Sequence, residues 1–409
     1  MRVLIVSEDI PYPSMGGLAK HALNLARALV RAGHQVDILG GDQHPIEVAG
    51  DEGIFGGRFF GELHGQNAGW KEGRLGVYMP LKRTVIAKRF ARIIMRRAAN
   101  YDVVHYHGHF PNMAAFLPPH VNFVQTRHDQ GSDCLAFTRF RDGKICDLTD
   151  AEHCAACMTP RPNALQRAAS TTAVVRFRQQ VADGFRKHKT VFVSDLLQRN
   201  FERVAGKGPW GHTVHNFVDV AMLQNAQAAA SPVVRGGAFH IAVAGKIYEA
   251  KGIEAFLSEL VPRMDDDMVV TVAGDGPDEQ RLRARFEGER VRFLGWCTPE
   301  RTLEVAAAAS AVVMPSLLEE AFGSTTLEGL MLGKPVFALA IGATPELAVY
   351  QSAPGQLRLH ADMRSLVGDL LTVPRSLSFG RPPLEAAGAE RAVQQLLDIY
   401  RLPTGQTIR

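Results

Sequence analysis

Two lysines five residues apart, Lys246 and Lys251, stand in the run Ala244-Gly245-Lys246-Ile247-Tyr248-Glu249-Ala250-Lys251-Gly252-Ile253. Two ammonium groups in a turn between a strand and a helix suit a diphosphate; the plainer reading is a pair of solvated lysines. Further along, Glu320 and Glu328 flank Gly323-Ser324-Thr325-Thr326. That step can open a helix whose first N–H groups face a phosphate, while the two carboxylates can accept hydrogen bonds from sugar and ribose hydroxyls. Gly16-Gly17 precedes another helix start and could hold an anion in the same way, or merely form a tight turn. His128-Asp129 closes an apolar run, and His105, His107 and His109 alternate along an extended one, where they would share a face and could approach a metal. Four of the five cysteines, Cys134, Cys146, Cys154 and Cys157, fall within one short stretch beside His128. The last pair has the spacing of zinc ligands. A structural zinc is the expectation there, with free thiols, disulfides and an iron–sulfur cluster as alternatives.

The elements that must position these groups follow one grammar. Arg2–Ser7 is a short apolar run of the kind buried in parallel sheets. Leu18 to Ala32 has helical spacing of Ala22, Leu25, Ala26 and Leu29 and stops at Gly33. Val36–Leu39 is a second strand, which makes a βαβ unit. Later strands are expected around 103–105, 122–124 and 190–193. The pattern restarts at 240–245, 268–274, 291–294, 311–314 and 335–339. Residues 221–237, rich in Ala, Gln and Gly, read as a linker. The reading is therefore α/β, with two doubly wound parallel-sheet domains facing one another across a cleft. The N-terminal one, at 1–217, carries the cysteine insertion at about 130–160. The C-terminal one occupies 236–384, and an amphipathic helix at 385–409 returns toward the first domain. Cys297 is expected in the core. In such sheets ligands bind beyond the carboxyl ends of the strands, where the motifs above lie.

The assembled pattern resembles family 4 glycosyltransferases of the cleft-type fold with two Rossmann-like domains, nearly end to end. It is carried by Gly16-Gly17, Gly33-His34-Gln35-Val36, Thr126-Arg127-His128-Asp129, Val193-Ser194 and His215-Asn216-Phe217-Val218-Asp219. It continues through Gly245–Gly252, Ala273-Gly274-Asp275-Gly276-Pro277, Phe293-Leu294-Gly295, Pro315–Glu328, Gly333-Lys334-Pro335-Val336 and Gly342-Ala343-Thr344-Pro345-Glu346. The resemblance implies retaining transfer of a sugar from a nucleoside diphosphate sugar, in polysaccharide, lipopolysaccharide or glycolipid assembly, without a catalytic metal. It implies that Lys246 and Lys251 bind the donor diphosphate, that Glu320 contacts the donor sugar and Glu328 the ribose, and that Ser324 and Thr325 lie near the phosphates. Gly16, Gly17 and Gly274 join the donor set, and His128 sits near the reacting carbon and the acceptor. Lys246 departs from the arginine usual in the family: it keeps the charge but loses the bidentate fork.

Composition agrees. The 409 residues, 46% hydrophobic and 22% charged, suit ordinary globular domains rather than a disordered chain. No apolar run reaches the ~18 residues of a membrane span, and Met1–Val6 is too short for a signal-peptide core, so a cytoplasmic protein is expected. The net charge of +4 conceals an asymmetry: residues 1–217 hold 28 Lys and Arg against 19 Asp and Glu, and the remainder 18 against 23. Seven basic residues lie between Lys82 and Arg97, among Val85, Ile86, Phe90, Ile93 and Ile94, with no acid from Gly73 to Tyr101. Such a helix could rest on anionic lipid at the inner face of a membrane and serve a sugar or lipid-linked acceptor, besides packing its apolar stripe on its own core. Asp265-Asp266-Asp267 precedes a strand and makes no Asp-x-Asp metal motif. A sugar-nucleotide epimerase or phosphorylase on the same fold, and a binding module built on a zinc lobe, are the alternatives. Nucleic acid is not an expected partner, because the aromatic-rich basic patch of single-strand binders is missing. A dehydrogenase is disfavoured because no G-x-G-x-x-G follows the first strand.

Overall fold

Runs rich in Val, Ile, Leu and Ala, buried on both faces, pair in parallel in this molecule because helices cover them on each side. The computed structural model describes residues 1–10, 17–41, 56–63, 79–158, 163–230 and 238–404. The strands, in order, are β1 Arg2–Ser7, β2 Gln35–Gly41, β3 Phe59–Leu63, β4 Val103–His107, β5 Phe123–Arg127, β6 Phe140–Arg141, β7 Lys144–Ile145, β8 Lys189–Phe192 and β9 Gly211–Thr213. They continue with β10 Phe239–Ala244, β11 Met268–Ala273, β12 Val291–Gly295, β13 Ala311–Met314, β14 Val336–Leu339 and β15 Leu357–His360. The helices are α1 Gly17–Arg31, α2 Met79–Ala98, α3 Ala151–Met158, α4 Ala164–Lys187, α5 Asp195–Ala205 and α6 Val220–Ala229. Then come α7 Ile253–Leu260, α8 Glu279–Phe286, α9 Pro299–Ala308, α10 Ser324–Met331, α11 Met363–Thr372 and α12 Ala389–Arg401.

The chain divides into two units. The first comprises Met1–Arg139, Asp147–His215 and Ala389–Arg409; the second comprises Phe140–Cys146 and Asn216–Gly388. The first is built on a seven-stranded parallel sheet of order β3-β2-β1-β4-β5-β8-β9. The second has a six-stranded parallel sheet of order β12-β11-β10-β13-β14-β15. Both are Rossmann-like. In each, the order reverses beside the first strand: between β1 and β4, and between β10 and β13. A crevice opens at the carboxyl ends of such a pair. It points to Ser7-Glu8-Asp9 and Gly108-His109 in the first unit, and to the Gly245–Gly252 and Pro315–Gly323 loops in the second.

Several elements differ from the sequence reading. Residues 220–229, read as part of a linker, are helix α6, because Asp219 caps it by accepting from Met222 N; its Leu223 and Ala226 are buried and it packs on α9. Strands β3, β9 and β15 were not anticipated. Each lies at a sheet edge or end, is short and is only partly buried, so its hydrophobic signal is weak. Cys297 is half-buried rather than a core residue. Helix α12 packs on α1 within the first unit. There Tyr400 Oη meets His105 Nδ1 at 2.6 Å, and Lys189 Nζ donates to the carbonyls of Tyr400 and Leu402.

Candidate functional site

In the second unit, the loop after β10 is shaped by glycines. Gly252 caps α7 in the left-handed conformation (φ 69°), and a side chain there would run into the Pro315 carbonyl. This close approach locks the Lys251 loop to the loop after β13, where Leu317 N donates to Ala250 O at 2.9 Å. Gly274 (φ +151°) is equally tight against Gly245 O. The result brings Lys251 to Glu320, with Nζ–Oε1 2.6 Å and both side chains largely shielded. Burial opposes a charged lysine, but the Glu320 carboxylate outweighs it and holds the Lys251 ammonium above its ordinary pKa. One of three N–H donors is used on Glu320, which leaves two for a ligand oxygen. Lys246 is exposed on the same loop. Gly323 (φ +91°) starts α10, so Ser324 and Thr325 stand at its N-terminus, with Ser324 exposed and Glu328 one turn on and half-buried. The Thr326 hydroxyl is buried in that first turn with no hydrogen-bond partner.

In the first unit, Gly17 is the first residue of α1; Gly16 lies outside the described residues. His128 follows β5 and is half-buried, with its Nε2 2.9 Å from Nδ1 of the buried His107. The His21 ring, on α1, lies 4.9 Å from that of His128 and 5.6 Å from that of His107. Burial lowers the pKa of all three, so the cluster is neutral at physiological pH.

The alternating histidines therefore do not act as one set. His105 is buried between Tyr400 and Thr126. His107 joins His21 and His128. His109 is clamped between Asp9 and Asp129, at 2.9 Å each. Despite burial, those two carboxylates raise the His109 pKa well above its usual value. Asp129 also receives Arg127 at 3.0 Å and the Gly131 N–H at 2.8 Å. Beside them, Glu8 is buried; its Oε1 accepts from Tyr106 Oη at 2.9 Å and His109 N at 2.6 Å, while Oε2 has no partner. Burial pushes its pKa up to about 7. The sequence alone does not single out Glu8, Asp9, His21 or Arg127 as site residues, and it offers His109 only as a metal ligand beside His105 and His107. The available signal was the position of Glu8-Asp9 immediately after β1.

The cysteine lobe is a correction. Among the described residues, the group of three or more His, Cys, Asp or Glu side chains close enough to share a metal ion is His21, His107 and His128. Cys134, Cys146, Cys154 and Cys157 are free thiols that form no such set, so the expected structural zinc is not supported. Arginines hold the lobe instead. Arg139 Nη1 pairs with the buried Asp133 at 2.6 Å, and its backbone N–H donates to Cys134 Sγ. Arg178 donates to Asp133 O, Thr149 O and Cys154 Sγ. Arg83, wholly buried, donates to Leu135 O and lies 4.3 Å from the centre of the Phe137 ring.

On α2, Ile86, Phe90, Ile93 and Ile94 face the core, as spacing suggested, whereas Val85 is exposed. Lys88, Arg89, Arg92 and Arg96 form the exposed basic stripe. No helix among the described residues is long and apolar enough to cross a membrane.

Comparison with known proteins agrees with this architecture. Residues 15–222 match the model described as Glycosyltransferase Family 4, and residues 238–367 match that described as Glycosyl transferases group 1. The 2-deoxystreptamine N-acetyl-D-glucosaminyltransferase of Streptomyces fradiae is 28% identical over 178 residues, covering 40% of this chain and 42% of that enzyme. Glycogen synthase of Mycobacterium tuberculosis is 25% identical over 97% of this chain and 90% of its own. Among solved structures, Anabaena HepE in complex with UDP-glucose superposes with a TM-score of 0.58 at 15% identity, covering 98% of this chain and 97% of that one. The shared architecture is the GT-B fold.

Proposed function

The chain belongs to glycosyltransferase family 4 and is a retaining glycosyltransferase using a nucleotide-sugar donor, and from that premise we propose how its residues divide the work. The second unit takes the donor. Lys246 and Lys251 neutralise the diphosphate, Glu320 contacts the transferred sugar and Glu328 the ribose. Ser324, Thr325 and the open N–H groups of α10 lie against the phosphates, with Gly274 giving the backbone room to approach. As the bond from the sugar carbon to the phosphate oxygen breaks, negative charge grows on the departing diphosphate, and fixed cations and N–H dipoles stabilise it where it develops. The Lys251–Glu320 pair carries this reading: an ammonium suited to a phosphate and a carboxylate suited to sugar hydroxyls lie 2.6 Å apart. Paired with Glu320, Lys251 is charged and oriented before the donor arrives, which lowers the reorganisation required.

The first unit takes the acceptor, with Gly16 and Gly17 against the diphosphate or acceptor and His128 toward the reacting carbon. The donor nucleotide is of the UDP class by analogy with the HepE complex. The exposed stripe Lys88, Arg89, Arg92 and Arg96, with Leu81 and Val85 exposed at its start, supports a peripheral seat on anionic lipid and hence a lipid-linked or membrane-delivered acceptor.

The test of the donor reading is a thermal-shift screen of nucleotide sugars followed by product analysis. A true donor raises Tm by mass action, and Glu320→Gln retains that shift while losing most turnover. No shift and no hydrolysis with any nucleotide sugar, or full activity in Glu320→Gln, overturns it. Vesicle flotation tests the acceptor side: binding that is equal on neutral and anionic vesicles refutes the membrane seat.

A further inference from the structure

We infer that His21, His107 and His128 form a site for one divalent transition-metal ion of the zinc class. The three rings come from separate elements, the start of α1 and the ends of β4 and β5. Each offers one ligand nitrogen, and the three nitrogens lie within 4.8 Å of one another. Nitrogens bound to a tetrahedral zinc at ~2.0–2.1 Å lie roughly 3.3 Å apart. The His107–His128 pair at 2.9 Å is close to this separation; the two rings turn their nitrogens from each other toward the ion, and His21 closes in.

The set is chemically ready. A neutral imidazole presents a lone pair, and all three rings are kept neutral by burial. Binding releases no net proton: the ring that donates within the His107–His128 bond moves its hydrogen to its other nitrogen. His107 is wholly buried, so its ring is held in place before the ion arrives. His21 and His128 are half-buried, which leaves an entry path. Three nitrogen ligands and no carboxylate select Zn2+, Co2+ or Ni2+ over Mg2+ and Ca2+, which require oxygen. A fourth position stays open for water or an acceptor hydroxyl.

Binding of the ion takes up the lone pair of His128 and so slows transfer; this consequence, but not the binding itself, rests on the acceptor-side role proposed above for His128. The experiment titrates the chelator-stripped full chain with Co2+ and follows its visible d–d bands. One equivalent per chain is expected. Affinity should fall in His21→Ala and His21→Gln by at least the roughly 10–100-fold that loss of a mere outer-shell partner costs. It should be unchanged in Cys154→Ser and Cys157→Ser. No Co2+ spectrum, or a spectrum lost in the cysteine variants and kept in the histidine ones, overturns the site. Zn2+ added to a transfer assay distinguishes the two readings: binding with unaltered turnover refutes the role of His128 and leaves the metal site standing.

Discussion

Replacing Glu8 by glutamine should make the protein more stable at pH 8 and leave it almost unchanged at pH 4. The carboxyl is buried, and its pKa is raised from 4.5 to about 7, first by burial and next by Asp9, against the opposing pull of His109. Below the unfolded value, both folded and unfolded chains hold the proton and Glu8 contributes nothing pH-dependent. Between 4.5 and about 7 the unfolded chain has lost the proton that the folded chain still holds, so stability falls as pH rises, and above 7 the loss is complete. At about 1.4 kcal/mol per pKa unit, the full effect is at most roughly 3.5 kcal/mol. Glutamine copies the protonated carboxyl: its oxygen accepts from Tyr106 Oη and His109 N as Oε1 does, and its NH2 takes the place of Oε2, which has no partner. The assay is urea unfolding of both proteins at pH 4, 5, 6, 7 and 8. The variant's advantage should grow from near zero toward that ceiling across the series. An advantage that does not change with pH, or a variant that loses ground at pH 8, refutes the burial argument.

Four further outcomes follow from the geometry. Gly108→Ala should destabilise the first unit by at least about 1–3 kcal/mol, read as a fall in Tm, because the new methyl group would land on the Glu8 carboxylate and the Tyr106 hydroxyl. Gly252→Ala should cost about 1–3 kcal/mol through its left-handed φ, and more through the Pro315 carbonyl. Calorimetry should also show weaker nucleotide binding, since that turn sets Lys251. Asp133→Asn should cost about 3–5 kcal/mol by removing the carboxylate that faces the buried Arg139 guanidinium; limited proteolysis of the cysteine lobe would report it. Lys251→Met should weaken binding of UDP by roughly tenfold or more, the loss of a charge-assisted hydrogen bond of about 1.5–3 kcal/mol; unchanged affinity by titration calorimetry would exclude Lys251 from the diphosphate.

The sequence made the strands buried on both faces plain, because Val3–Val6, Ile241–Val243 and Val269–Val272 are nearly continuous apolar runs. It made the glycine turns plain as well, since Gly245, Gly252 and Gly323 punctuate strand-to-helix steps. Edge strands such as Gly211–Thr213 escaped because a strand covered on one side needs no apolar alternation. The linker reading of 221–237 failed over α6 for a different reason: a single capping residue, Asp219, decides it, and Ala-Gln composition does not. The donor half of the site was legible because its residues are local to two loops. The acidic and histidine network of the first unit was not, since Glu8, His109 and Asp129 are distant in the chain and meet only when β1, β4 and β5 are side by side. The cysteines show the opposite error, in which closeness along the chain suggested a ligand set that the fold does not assemble.

The position of α12 bears on how the protein is made. The first unit needs Tyr400 against His105, and it needs the carbonyls of Tyr400 and Leu402 for Lys189. Residues 216–388, which make up most of the second unit, intervene in the chain. During synthesis from the N-terminus, the first unit emerges early yet stays unsealed along this flank until α12 leaves the ribosome. The second unit is then free to complete first, and a chain stopped before Ala389 would expose the buried flank of α1 and the ammonium of Lys189 together. Nascent chains arrested at successive lengths and probed by protease would display that order as late protection of β1 and β4.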